Sequence, residues 1–113
     1  MNPADRRKYA RMPMDVPASL TDFRSGAWEG RTMDVSPFGV KVALPDADSS
    51  IKGGDSLRLK FAPADGGASI SALVSVVRAD AGSVAVAFVN LEMDAFRRLS
   101  ALVDDWVKRN PRA

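Results

Sequence analysis

The chain has 113 residues, 46% of them apolar and 7% aromatic, enough for one domain with a modest core and no covalent staples. It holds no cysteine and no histidine, which excludes disulfides and thiolate chemistry and removes the commonest general base and transition-metal ligand. The net charge is +2, of which residues 1–12 carry +3 and the remainder −1; this balance argues against a broad nucleic-acid surface and for a small, local anion site.

The chain opens on a basic segment, Arg6-Arg7-Lys8-Tyr9-Ala10-Arg11, which Pro13 and Pro17 fence from the body. Residues before proline favour extended backbone, so helix is excluded near Met12 and Val16. Residues 1–12 are expected to form a flexible basic arm, polar enough to stay mobile until a ligand orders it, and residues 13–113 a single domain. Short apolar runs broken by turn residues follow. Val16–Leu20 and Trp28–Val35 are the first two predicted strands, separated by a turn at Ser25-Gly26. In the segment from Gly39 to Leu44, Val40, Val42 and Leu44 alternate with Lys41 and Ala43; Leu57, Leu59 and Phe61 alternate with Arg58 and Lys60. Period two with one polar face marks a half-buried strand. After a turn at Asp65-Gly66-Gly67, Ile70–Val77 is apolar or small throughout, and Asp80-Ala81-Gly82 turns the chain into Val84–Val89. Six short strands at this spacing predict a closed or nearly closed antiparallel β-barrel, which removes exposed edges.

The period then changes. Phe96, Leu99, Leu102, Val103, Trp106 and Val107 recur at three- and four-residue steps, with charged residues on the other side. This predicts an amphipathic helix over about 91–109, with Asn90 as its cap and Pro111 beyond its end, covering one barrel opening.

The chemistry concentrates in two places. Arg7 and Arg11 lie four apart in the arm, and Asp34-Val35-Ser36-Pro37-Phe38-Gly39 sits at the junction of the second and third predicted strands. Guanidinium pairs bidentately with phosphate and stacks on purine rings. A carboxylate accepts from guanine N1–H and its exocyclic amine. In its own right the second segment reads as a rigid turn, in which Asp and Ser bond to backbone N–H groups and Pro37 fixes φ. Together the two segments suggest a pocket for a ligand with both phosphates and guanines.

Arg7-x-x-x-Arg11 followed by Asp34-x-Ser36-x-x-Gly39 resembles the two-part signature of the PilZ domain, the bacterial receptor for cyclic di-GMP. The resemblance spans nearly the whole chain and implies a six-stranded antiparallel barrel with a C-terminal helix. It implies that Arg7 and Arg11 grip the phosphates and stack on guanines, that Asp34 reads a guanine edge, that Ser36 bonds a base or phosphate, and that Gly39 lets the ligand approach. Arg6, just before the first motif arginine, leans toward a stacked pair of ligands. Phe38 and Arg78 are further candidates, Phe38 and Trp28 for stacking and Arg78 from the end of the predicted strand Ile70–Val77. Binding is the implied activity, with no cofactor and no turnover, and with output to an unidentified protein partner controlling motility, adhesion or exopolysaccharide production.

Enzyme-like patterns fail on inspection. Ser49-Ser50-Ile51-Lys52 fits S-x-x-K but lacks the companion motifs. Asp46 opens a calcium-loop pattern that has Ile51 where glycine is required and Leu57 where glutamate is required. With no apolar leader at the N-terminus and no run long enough to span a bilayer, the expectation is a soluble cytoplasmic protein without membrane insertion. Two alternatives stay open: a PilZ-like interaction module that binds protein only, and a small basic barrel that binds single-stranded nucleic acid.

Overall fold

The computed structural model describes residues 10–24, 26–45 and 50–111. Its strands are β1 (Met12–Pro13), β2 (Pro17–Thr21), β3 (Ala27–Val35), β4 (Gly39–Ala43), β5 (Ser56–Phe61), β6 (Ile70–Asp80) and β7 (Ser83–Asn90), followed by helix α1 (Met93–Arg109). The pairing order is β1-β3-β2-β5-β6-β7-β4, and β3 also pairs with β4, so six strands close into an antiparallel barrel. The two-residue β1 lies on the same edge of β3 as β2, with Met12 opposite Val35 and Pro13 opposite Asp34.

The alternation in sequence becomes the inside and outside of the barrel. Along β5, Leu57, Leu59 and Phe61 are buried while Ser56, Arg58 and Lys60 are exposed. Leu20, Val35, Val40, Val42 and Val74 are fully buried, and with Leu44, Leu59, Val76 and Val86 they form one continuous core. Gly82, with φ of 83°, supplies the left-handed residue that lets β6 fold tightly onto β7. Irregularities in β3 pairing at Met33 and in β6 pairing at Val77 are bulges, which leave one residue unpaired and increase local twist.

Helix α1 closes one end. Leu99 and Val103 enter the core, and Phe96 meets Phe38 of the β3–β4 turn edge to face, with ring centroids 5.6 Å apart. Arg98 donates to both carboxylate oxygens of Asp65, at 2.6 and 2.8 Å, and to the Ala68 carbonyl at 2.5 Å, tying the β5–β6 loop to the helix. A Cβ on Gly67 would lie 2.4 Å from the Arg98 guanidinium, so the arginine would have to shift to admit one. The hydrogen bonds from the Arg98 side chain, and then from the Gly67 amide, lower the Asp65 pKa from 3.8 to about 2. A folded pKa below the unfolded one contributes stability that is present above about pH 4 and lost as pH falls toward 2. Asp65→Asn is expected to cost about 1 kcal/mol at neutral pH, because solvent reaches the pair, and to flatten the stability curve over that acid interval. Thermal midpoints measured from pH 5 to about pH 2 test this; identical acid slopes for both proteins would refute it.

Two expected boundaries move. Met12, placed in the arm by its proline neighbour, is 8% exposed and belongs to the core. Its backbone pairs with Val35 of β3, so the barrel domain includes Met12. Asn90, expected as the helix cap, instead ends β7, paired with Leu73; the cap position is Glu92, which makes no side-chain capping bond. No helix among the described residues is long and apolar enough to cross a membrane.

Candidate functional site

The site begins with the way β1 is held against β3. Between β1 and β2 the chain cannot continue a regular ladder, because Pro13 and Pro17 lack an N–H. Thr32 of β3 fills the gap. It is buried, its hydroxyl donates to the Met14 carbonyl and accepts from the Val16 amide at 3.1 Å, and its own amide donates to the Val16 carbonyl at 2.8 Å. Removing the hydroxyl would orphan the Val16 amide, so Thr32 anchors the root of the basic segment. Because Pro13 lies opposite Asp34 on the outer face, Arg11, two residues earlier, is diagonal to Asp34 on that same face.

The two sequence motifs meet there. Arg11 Nε donates to Asp34 Oδ1 at 2.5 Å. Among the described residues the two terminal nitrogens of Arg11 and Asp34 Oδ2 make no hydrogen bond. One bond therefore fixes both side chains and leaves a guanidinium fork and a carboxylate oxygen free to engage something else. Both remain accessible, with side chains 43% and 30% exposed.

Ser36 and Gly39 act differently. Ser36 is 1% exposed, and its Oγ accepts from the amides of Phe38 and Gly39 at 3.1 and 3.2 Å. The Ser36 amide donates to the Gly39 carbonyl at 2.9 Å. Its hydroxyl is thus committed to the β3–β4 turn. Gly39 is buried too, and a Cβ there would lie 2.3 Å from the Val86 carbonyl oxygen of β7. The glycine is required by the close approach of β4 to β7, and its φ is not positive. These two residues fix the turn that presents Asp34.

The remaining candidates separate. Phe38 is half exposed and packs against Phe96, and its carbonyl accepts from the Phe88 amide at 2.9 Å. Arg78 lies inside β6, which runs three residues past the predicted end at Val77 to Asp80. It pairs with Asp80 at 2.9 Å and is exposed on the outer face, on the far side of β7 from Asp34. Trp28 packs against the core at the opposite end of the barrel, where it lines a cleft of about 450 Å³ with Phe23, Arg24 and Asp55. Arg6 and Arg7 lie outside the described residues. Sequence reasoning passed over Lys41, which pairs across strands with Asp34. Its only signal was its place on the polar face of the third predicted strand.

The PilZ domain family model matches residues 5–105. The chain belongs to the PilZ domain family. Solved structures with this fold include the Bacillus subtilis inhibitor of motility MotI, at 17% identity and a TM-score of 0.75, with 96% of this chain and 53% of that chain covered. The PilZ domain of YcgR from Escherichia coli, solved with c-di-GMP, gives 13% identity and a TM-score of 0.69 over 96% of this chain and 99% of that one. The PilZ domain of CeSA from a cellulose-synthesising bacterium gives 16% identity and a TM-score of 0.68 over 86% and 97%. The chain thus spans about half of MotI and nearly the whole of the isolated PilZ domains. None of the curated proteins searched matches it.

Proposed function

We propose that this PilZ domain is a receptor for cyclic di-GMP that works by binding and carries out no turnover. The observation that carries this reading is the Arg11–Asp34 pair, which joins the two motifs at one place while leaving donors and acceptors free. Guanine offers N1–H and an amine side by side, which suits the free oxygen of Asp34. The free Arg11 nitrogens suit a phosphate or the acceptor edge of a purine. Arg7, one motif step earlier, supplies a second guanidinium, and Arg6 a third that would serve the outer phosphates of a stacked ligand pair. Ser36 and Gly39 serve the site by building the turn that aims Asp34.

Ligand held by Arg11 and Asp34 on the outer face of β3 and β4 would create a new surface for a partner protein. The similarity to MotI, named as an inhibitor of motility, and to YcgR, solved with c-di-GMP, supports a role in cyclic di-GMP signalling to motility or surface behaviour. The experiment is a comparison of two cyclic dinucleotides by calorimetry. Cyclic di-AMP has no N1–H and carries its amine elsewhere on the ring, so it is expected to bind at least tenfold more weakly, roughly the value of one charge-assisted hydrogen bond. Asp34→Ala should remove that preference without unfolding the barrel. Equal affinity of the wild type for both dinucleotides would overturn the role of Asp34.

A further inference from the structure

The cross-strand registers place Asp34, Lys41 and Ala85 in one row, on β3, β4 and β7. Directly opposed residues project to the same face of a sheet, with Cβ atoms about 5 Å apart. Asp34 is on the outer face, so Lys41 and Ala85 are as well. Asp34 therefore has a cation on each side: Arg11 from the β1 edge and Lys41 from β4.

The two cations differ in one respect. The Arg11 side chain is paired, whereas the Lys41 side chain makes no ion pair or hydrogen bond among the described residues, although it is only half exposed. Asp34 already gives Oδ1 to Arg11, so Lys41 is an uncompensated positive charge at the rim of the site. Ala85 beside it and Gly39 next along β4 carry almost no side chain. The surface beyond Lys41 is therefore low as far as Arg78, which stands opposite Ala85 on β6 and is paired with Asp80, and a ligand can lie across it. We propose that Lys41 is a further ligand contact, binding a phosphate of the cyclic dinucleotide on the flank of Asp34 opposite Arg11. The ligand footprint then runs across the Asp34–Lys41–Ala85 row. This inference rests on the cyclic di-GMP reading.

The test is titration of the full chain with cyclic di-GMP at low salt and at high salt, for wild type and Lys41→Met. Methionine keeps the apolar stem and removes the charge. The variant is expected to bind about tenfold more weakly at low salt, with the gap narrowing as screening rises. Its thermal midpoint should match the wild type, and Lys41→Gln repeats the test with a polar terminus. If wild type binds and both variants bind within about twofold of it at low salt, Lys41 is not a contact and the cyclic di-GMP reading stands. If wild type does not bind, both ideas fall together.

Discussion

Arg11→Ala is expected to weaken cyclic di-GMP binding by about a hundredfold while leaving the fold intact. A hydrogen bond to a charged group contributes roughly 1.5–3 kcal/mol, equivalent to about ten- to a hundredfold in affinity. A second effect pushes the loss to the upper end. Without Arg11, Asp34 keeps only Lys41 as a neighbouring cation, so an attraction for the incoming phosphate is lost and the carboxylate's repulsion of it is less offset. Stability should change little, because the Arg11–Asp34 pair is solvent-accessible and such pairs contribute at most about 1 kcal/mol. Arg11→Lys should not restore binding: an ammonium cannot bond Asp34 through one nitrogen and present a fork with two others. Titration calorimetry with thermal melts separates the two quantities. Affinity within about twofold of wild type would remove Arg11 from the site.

Gly39→Ala is expected to do the reverse, damaging the fold first. The added Cβ would sit 2.3 Å from the Val86 carbonyl oxygen and 3.3 Å from Ala87 Cα. Both are backbone or Cα atoms of β7, so no flexible side chain can yield. The two strands must separate, straining the Gly39–Ala87 and Val40–Val86 registers that help close the barrel. Overpacking of this kind costs about 1–3 kcal/mol and sometimes more. The β3–β4 turn moves with β4, so ligand affinity should fall as a consequence. Gly53→Ala is the matched control, since its Cβ would meet only the Val77 carbonyl, at 3.7 Å. Chemical denaturation of both variants decides the point. Equal midpoints would mean that β4 can shift away from β7 at little cost, and that Gly39 is held for some other reason.

Much of this architecture was legible in the residues. The period-two runs around Val40 and Leu57 placed strands correctly, because one face of each is core and the other is solvent. The helix was legible from Phe96 to Val107 for the same reason at a different period. What escaped was set by long-range pairing. Pro13 looked like a fence, yet β1 forms because Met12 finds a buried place against Val35, across more than twenty residues of chain. The Arg98–Asp65 clamp joins a turn to a helix face that read as solvated. Lys41 escaped for a subtler reason. Its position opposite Asp34 depends on the bulge at Met33, and an extra residue shifts every later partner by one.

The candidate site was half legible. Arg11 and Asp34 were expected together from their chemistry, and they are paired. Ser36 and Gly39, expected at the ligand, are buried and also hold the turn and the β4–β7 packing, roles that the motif did not announce. The distinction depends on burial, and a motif gives residue types without burial.

The central claim is that the two motifs form one cyclic di-GMP site, and calorimetric titration of the wild-type chain with cyclic di-GMP tests it most directly. The expected result is saturable binding with a Kd in the micromolar range or tighter, corresponding to about −8 kcal/mol or better. A stoichiometry of two ligands per chain would accord with the stacked pair suggested by Arg6. Absence of binding up to millimolar ligand, with the chain folded by thermal melt, would contradict the account and leave a PilZ barrel that serves protein contacts alone.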